Sequence, residues 1–121
     1  GFTGHSYTSA AVRSWNADAT LRFETVSGDD GEDTIEDVVV SGSINFATGN
    51  GIVLIGAGLD TTSAFTTEQD GLLHPNGAYA QGFAHGPQAI AAGYHYLQAL
   101  EQGNANSPNF GSIRMTGYVI L

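Results

Sequence analysis

Val38–Val39–Val40–Ser41–Gly42–Ser43–Ile44–Asn45–Phe46, then Ala47–Thr48–Gly49–Asn50–Gly51, then Ile52–Val53–Leu54–Ile55, is the stretch on which the fold turns. Val38, Val40, Ile44 and Phe46 share one parity, with Gly42 in the same row, and Val39, Ser41, Ser43 and Asn45 take the other. A period of two places one row against a core and the other toward water, the signature of a half-buried strand. Asn50–Gly51 closes the intervening segment, and both residue types accept a positive φ. The pattern therefore predicts a hairpin joining the two apolar runs.

Working outward, further strands are expected over roughly 4–12, 17–26, 59–66, 77–84, 93–100 and 112–121, eight with the hairpin pair. Their separators carry turn chemistry: Gly56 to Gly58, Asp70–Gly71, Pro75–Asn76–Gly77 and the run from Gly103 to Pro108. Eight short strands punctuated this way predict an all-β chain, a single domain over 1–121 and an eight-stranded antiparallel barrel. Closure would also remove sheet edges in a chain that has no lysine to guard them. Residues 87–101 are ambiguous. Pro87 and Gly103 suit the start and end of a helix, whereas Gly93 and Tyr94–His95–Tyr96 favour a strand. The reading taken is a short helical turn over 87–91 leading into a strand, with one long helix as the alternative.

Composition excludes several functions. The chain has 121 residues, a formal charge of −9, twelve acids against three arginines, and no lysine. Nucleic-acid binding and adhesion to anionic lipid both need basic groups in number, so neither is expected. Lysine-based catalysis is impossible. With no cysteine, disulfides, thiolate nucleophiles and cysteine metal sites are absent too. The apolar run Ile52–Ile55 is far too short to span a bilayer, and no signal-peptide pattern opens the chain, so an exported protein would be in its mature form.

The motifs that could carry chemistry have plain structural readings beside them. Gly56–Ala57–Gly58 mimics the opening of a dinucleotide-binding turn, but Thr61 holds the third glycine's place and the β-branched segment behind it is a poor helix. It reads as a glycine-rich connection between strands. Six of the twelve acids fall between Ser27 and Asp37. Asp29, Asp30, Glu32 and Asp33 resemble one copy of a calcium-binding repeat whose sites need stacked copies, and they lack the spacing of an EF-hand loop. They read as a solvated acidic loop and as the candidate contact for a basic patch on a protein partner. Whether any metal binds is left open. His5, His74, His85 and His95 show no zinc spacing. His85, Tyr94, His95 and Tyr96 are the candidate small-ligand residues, with haem the one cofactor their chemistry admits. No nucleophile, base and acid can be nominated from spacing, so the chain reads as non-catalytic.

Three elements in order carry a family resemblance: the strand Val40 to Phe46 with its small polar turn, Gly82–Phe83–Ala84–His85–Gly86–Pro87–Gln88–Ala89 leading to Gly93–Tyr94, and the closing Gly117–Tyr118–Val119. The order resembles the transferrin-binding-protein-like barrels of Gram-negative bacterial surface lipoproteins, over roughly 36–121. The resemblance implies a barrel fold, a place in the outer-membrane surface, the periplasm or outside the cell, and non-catalytic binding in iron or haem acquisition or host-protein capture. Departures are Ala84–His85 where relatives carry aromatics, Ile90–Ala91–Ala92 where they carry glutamate, and one lysine-free lobe where they commonly have two lysine-rich ones. Partner contacts in that family lie on variable loops, so none is carried over to positions here. A barrel this small is filled by its own side chains, so the site is expected on loops, with 27–37, 66–77 and 103–110 the candidates.

Overall fold

Val38, Val40 and Gly42 are buried, and Val39 between them is exposed, as the alternation predicts. The computed structural model describes residues 4–28, 33–46, 51–67, 70–74, 79–105 and 108–120. Among them the chain is all-β apart from one tight turn. Its strands are β1 (His5–Ser6), β2 (Val12–Ser14), β3 (Arg22–Ser27), β4 (Asp33–Phe46), β5 (Gly51–Leu59), β6 (Asp70–His74), β7 (Tyr79–His85), β8 (Gln88–Ile90), β9 (Gly93–Gln102) and β10 (Pro108–Ile120).

These strands form two antiparallel sheets. One runs β1–β10–β4–β7 with β8 also on β4, and the other runs β2–β9–β5–β6 with β3 also on β9. No sheet closes into a barrel among the described residues. The expected hairpin does not form either. β4 pairs with β10 and β7, while β5 pairs with β9 and β6, so residues 47–50 link opposite sheets. Alternation fixes which face of a strand is buried, but an Asn-Gly turn suits a crossing between sheets as well as a hairpin.

The ten strands occupy eight tracks. β7 and β8 follow the same flank of β4, with Val39 opposite His85 and Ile35 opposite Gln88. The break between them is Gly86–Pro87, where proline lacks a ladder donor and the Gly86 amide reaches the Val38 carbonyl at 3.3 Å. The helical turn expected over 87–91 is therefore strand β8 on an edge, where proline is tolerated. β4 is bulged at the same place against β10, which lets Ile35 and Val38 both face inward.

β2 and β3 likewise share one flank of β9, with Ser14 opposite Leu100 and Arg22 opposite Gln98. The residues between them leave the sheet edge as an excursion that carries Trp15 into the core. Trp15–Ala17 form a single turn of 3-10 type in which Asn16 and Ala17 are left-handed, at φ 52° and 54°. The indole is fully buried among Ile35, Val38, Val40, Val53, Ile55 and the other core side chains between the sheets.

Residues 59–66, expected as a strand, are strand only at Leu59. From Asp60 the chain bends into a loop that covers the outer face of β5. The Thr66 amide donates to the Ala57 carbonyl at 2.9 Å, and the Ala57 amide donates to Thr67 Oγ1 at 2.9 Å. Gly56 and Gly58 allow this cover: a β-carbon at Gly58 would stand 2.6 Å from the Thr61 carbonyl oxygen, and one at Gly56 would stand 2.7 Å from the Phe65 ring. Gly56–Ala57–Gly58, expected as a turn-bearing connection between strands, lies instead within β5, where the missing β-carbons let the loop pack closely on the strand.

Candidate functional site

β9 has an exposed, aromatic end and a buried, charged end that anchors it. At the first, Tyr94, His95 and Tyr96 alternate across the strand. Tyr94 and Tyr96 share the outer face, their rings 6.4 Å apart. Across the ladder stand Val26 opposite Tyr94, Glu24 opposite Tyr96 and Arg22 opposite Gln98. The Tyr94 hydroxyl donates to Glu24 Oε1 at 3.1 Å, and the Arg22 guanidinium lies 4.0 Å over the Tyr96 ring. Val26 is 72% exposed and Tyr94 55%. A valine and a tyrosine displayed side by side, framed by one acid and one arginine, have the make-up of a recognition surface.

His95 points the other way and is clasped. Its Nδ1 lies 2.6 Å from Asp60 Oδ2 and its Nε2 lies 2.7 Å from the Ala91 carbonyl oxygen. Both partners only accept, so the doubly protonated ring satisfies both contacts. The hydrogen bond to Asp60 raises the His95 pKa against a smaller opposing effect of burial, and the Ala91 contact and the charge of Asp60 add to the rise. Partial burial pushes the Asp60 carboxyl up, but its hydrogen bonds from His95 and from the Tyr96 amide (3.0 Å), together with the histidine's charge, outweigh burial and leave it lowered. Asp60 holds this position with a left-handed φ of 57°. The clasp ties the loop after β5 to the start of β9, and it leaves neither ring nitrogen a spare lone pair for haem iron.

His85 is exposed at the end of β7 in the other sheet, so the four candidate ligand residues do not converge on one face. Asp29, Asp30 and Glu32 lie outside the described residues, as does the side chain of Asp33. The acidic segment's fixed points are nevertheless clear. Ser27 pairs with Gly93 and Asp33 pairs with Ile90, so it leaves and returns beside the Tyr94 end. Strand formation also shortens all three expected loops: β4 begins at Asp33, β6 occupies Asp70–His74, and β10 begins at Pro108. No group of three or more metal-ligating side chains gathers among the described residues, and no helix there is long and apolar enough to cross a membrane.

The anchoring end is a charged centre that sequence reasoning missed. Glu101 is fully buried on the inner face of β9, in line with Leu97 and Ala99. Its carboxylate lies 2.6 Å from His5 Nε2 and accepts from Arg13 Nε at 2.8 Å and from the Asn16 amide at 3.1 Å. His5 stacks on Phe110 at 5.4 Å, and Trp15 meets both rings edge-on at 5.6 and 5.2 Å. His5 Nδ1 and Trp15 Nε1 are buried without a partner among the described residues. The signal was there: an acid on the apolar parity of a strand must bring its own donors.

No protein-family model matches the chain, and no curated protein is significantly similar to it.

Glu101→Leu should lower unfolding stability by about 3 kcal/mol or more, because it strands Arg13 and His5 beside an apolar core. Urea unfolding measures this, and a loss within about 0.5 kcal/mol, the range of an ordinary surface substitution, would contradict it. The His95–Asp60 clasp has a defined pH window. The His95 part is complete below the unfolded value of 6.5 and is lost as pH rises through the higher folded value. The Asp60 part is present above 3.8 and is lost as pH falls through the lower folded value. The stability gap between the wild type and His95→Gln should therefore be widest between those limits and narrow above neutrality. A gap that widens from pH 6 to pH 8 would reverse the assignment.

Proposed function

We propose that the chain is a non-catalytic binding domain of an exported or surface-exposed bacterial protein, and that it takes a protein partner on the β3–β9 face. Its place is the outer-membrane surface, the periplasm or the extracellular space, and its role is iron or haem acquisition or host-protein capture. The observation that carries this reading is the exposed Val26–Tyr94 pair beside the Arg22–Tyr96 stack. Exposed apolar and aromatic surface framed by charge is what protein interfaces are built from. The acidic segment anchored at Ser27 and Asp33 supplies the second element, a negative rim that would steer a basic partner onto the face.

The resemblance to transferrin-binding-protein-like barrels supports the same role. Closure of the two sheets into one barrel belongs to this proposal. It would need both seams between the sheets bridged, β6 to β7 and β3 to β10, and the second is an open cleft among the described residues.

Binding of the full chain to immobilised transferrin, haemoglobin and factor H tests the reading. One of them should bind, with affinity falling as salt rises, and the Tyr94→Ala, Tyr96→Ala double variant should weaken it about tenfold or more, as removal of central aromatic contacts does. Binding to none of the three, or binding indifferent to both salt and the double variant, would overturn it.

A further inference from the structure

The ladder along β10 is one-sided. β4 pairs with it from Pro108 to Ile120, whereas β1 reaches only Asn109 and Phe110 on the opposite flank. Beyond Phe110 that outer flank has no strand partner among the described residues. The outer flank of β3 has none either, since β3 pairs only with β9. Between the two flanks opens a cleft of about 300 Å³. Leu21 and Phe23 line it from the β3 side, Ile113 and Met115 line it from β10, and Ala99 forms its floor. All four of the larger side chains are only partly buried against the core.

Unpaired main-chain groups on a long strand edge are a template for another strand. Proteins usually guard such an edge with lysine, proline or charge. Residues 111–120 hold neither lysine nor proline, and their one charged side chain, Arg114, is exposed and unpartnered among the described residues. An apolar slot beside an open ladder is the arrangement by which an added strand gains affinity from its main chain and specificity from its alternate side chains.

We propose that this cleft accepts an extended peptide segment from a protein partner. The segment pairs its main chain with the outer flank of β10, seats an aliphatic or aromatic side chain between Phe23 and Met115, and carries a carboxylate opposite Arg114. A second copy of the chain is disfavoured as occupant because two bodies of charge −9 repel. A small apolar molecule would fill the slot and leave the ladder open. Thr20 and Arg22 add polar lining to the cleft, so it shares Arg22 with the Tyr94 face, but its test reads the β10 edge and does not depend on that reading.

The test uses the full chain and a short synthetic peptide of alternating isoleucine and threonine with one central glutamate. Its affinity is measured by titration, and its position by protection of amides in 111–120 from hydrogen exchange. The peptide should bind and protect that edge. The same peptide N-methylated on alternate amides should bind about tenfold more weakly or worse, because main-chain hydrogen bonds are lost while the side chains remain. Replacing its glutamate by lysine should weaken it by about threefold, the scale of an exposed charge pair. Met115→Trp, which fills the slot, should weaken the parent peptide about tenfold, while the exposed Ile52→Thr should leave binding as it was. Equal affinity for the N-methylated peptide would reduce the site to an apolar pocket and overturn the proposal. So would dimerisation of the free chain through β10, or no binding of the parent peptide up to its solubility limit.

Discussion

A carboxylate with no exposure to water sits on the inner face of a central strand, and the first part of the chain is arranged to satisfy it. A buried charge costs several kcal/mol unless donors surround it. Glu101 obtains them from β1, from β2 and from the turn behind β2: His5, Arg13 and the Asn16 amide. Each donor fixes a different feature. His5 aligns β1 on the end of β10, Arg13 holds β2 on the edge of β9, and the Asn16 contact secures the left-handed pair that turns Trp15 inward. Left-handed Asn16 and Ala17 would not persist without such surroundings. The three-ring cluster of His5, Trp15 and Phe110 then closes that end of the core across both sheets.

The opposite end of β9 is built for exposure. There His95 is held by Asp60 and Ala91, which fixes the loop after β5, and the reverse face of the same strand presents Tyr94 and Tyr96. One strand thus carries its stabilising charge at one end and its candidate recognition surface at the other. Among the described residues β1 pairs only with Asn109 and Phe110, so the rest of β10 has one paired flank there and the cleft beside Phe23 is open.

How far the sequence could be read follows from what each signal encodes. Period-two alternation at Val38, Val40 and Gly42 and the aromatic run Tyr94–His95–Tyr96 pointed to the right local structure, because neither signal depends on which strand lies alongside. Partner choice depends on the whole chain, so the predicted hairpin between β4 and β5 resolves into strands of opposite sheets, and the expected barrel into two sheets among the described residues. Pro87 looked like a helix start because its fixed φ suits both a first turn and an edge break. The Leu59–Thr66 segment has strand-like composition, but Gly56 and Gly58 make room for it to cover β5 in place of pairing along its length. Of the candidate site, Tyr94 and Tyr96 were legible as sharing one strand face opposite His95, whereas the exposure of Tyr94 beside Val26 was not. The clasp on His95 was not, because Asp60 lies far away in sequence and meets it only through the left-handed turn that ends β5.

The claim on which the proposed peptide site depends is that, among the described residues, β10 has one open flank beside the β3–β10 cleft. Residue-resolved amide hydrogen exchange of the free chain tests it most directly. On a strand paired along one side, every second amide points away from its neighbour. From Ile113 to Ile120 the account predicts protected amides alternating with rapidly exchanging ones, while the slow amides of β9 from Leu97 to Gln102, paired on both flanks, run without alternation. Uniform protection along β10 would mean that another strand already fills its outer flank, and the open cleft would have to be abandoned.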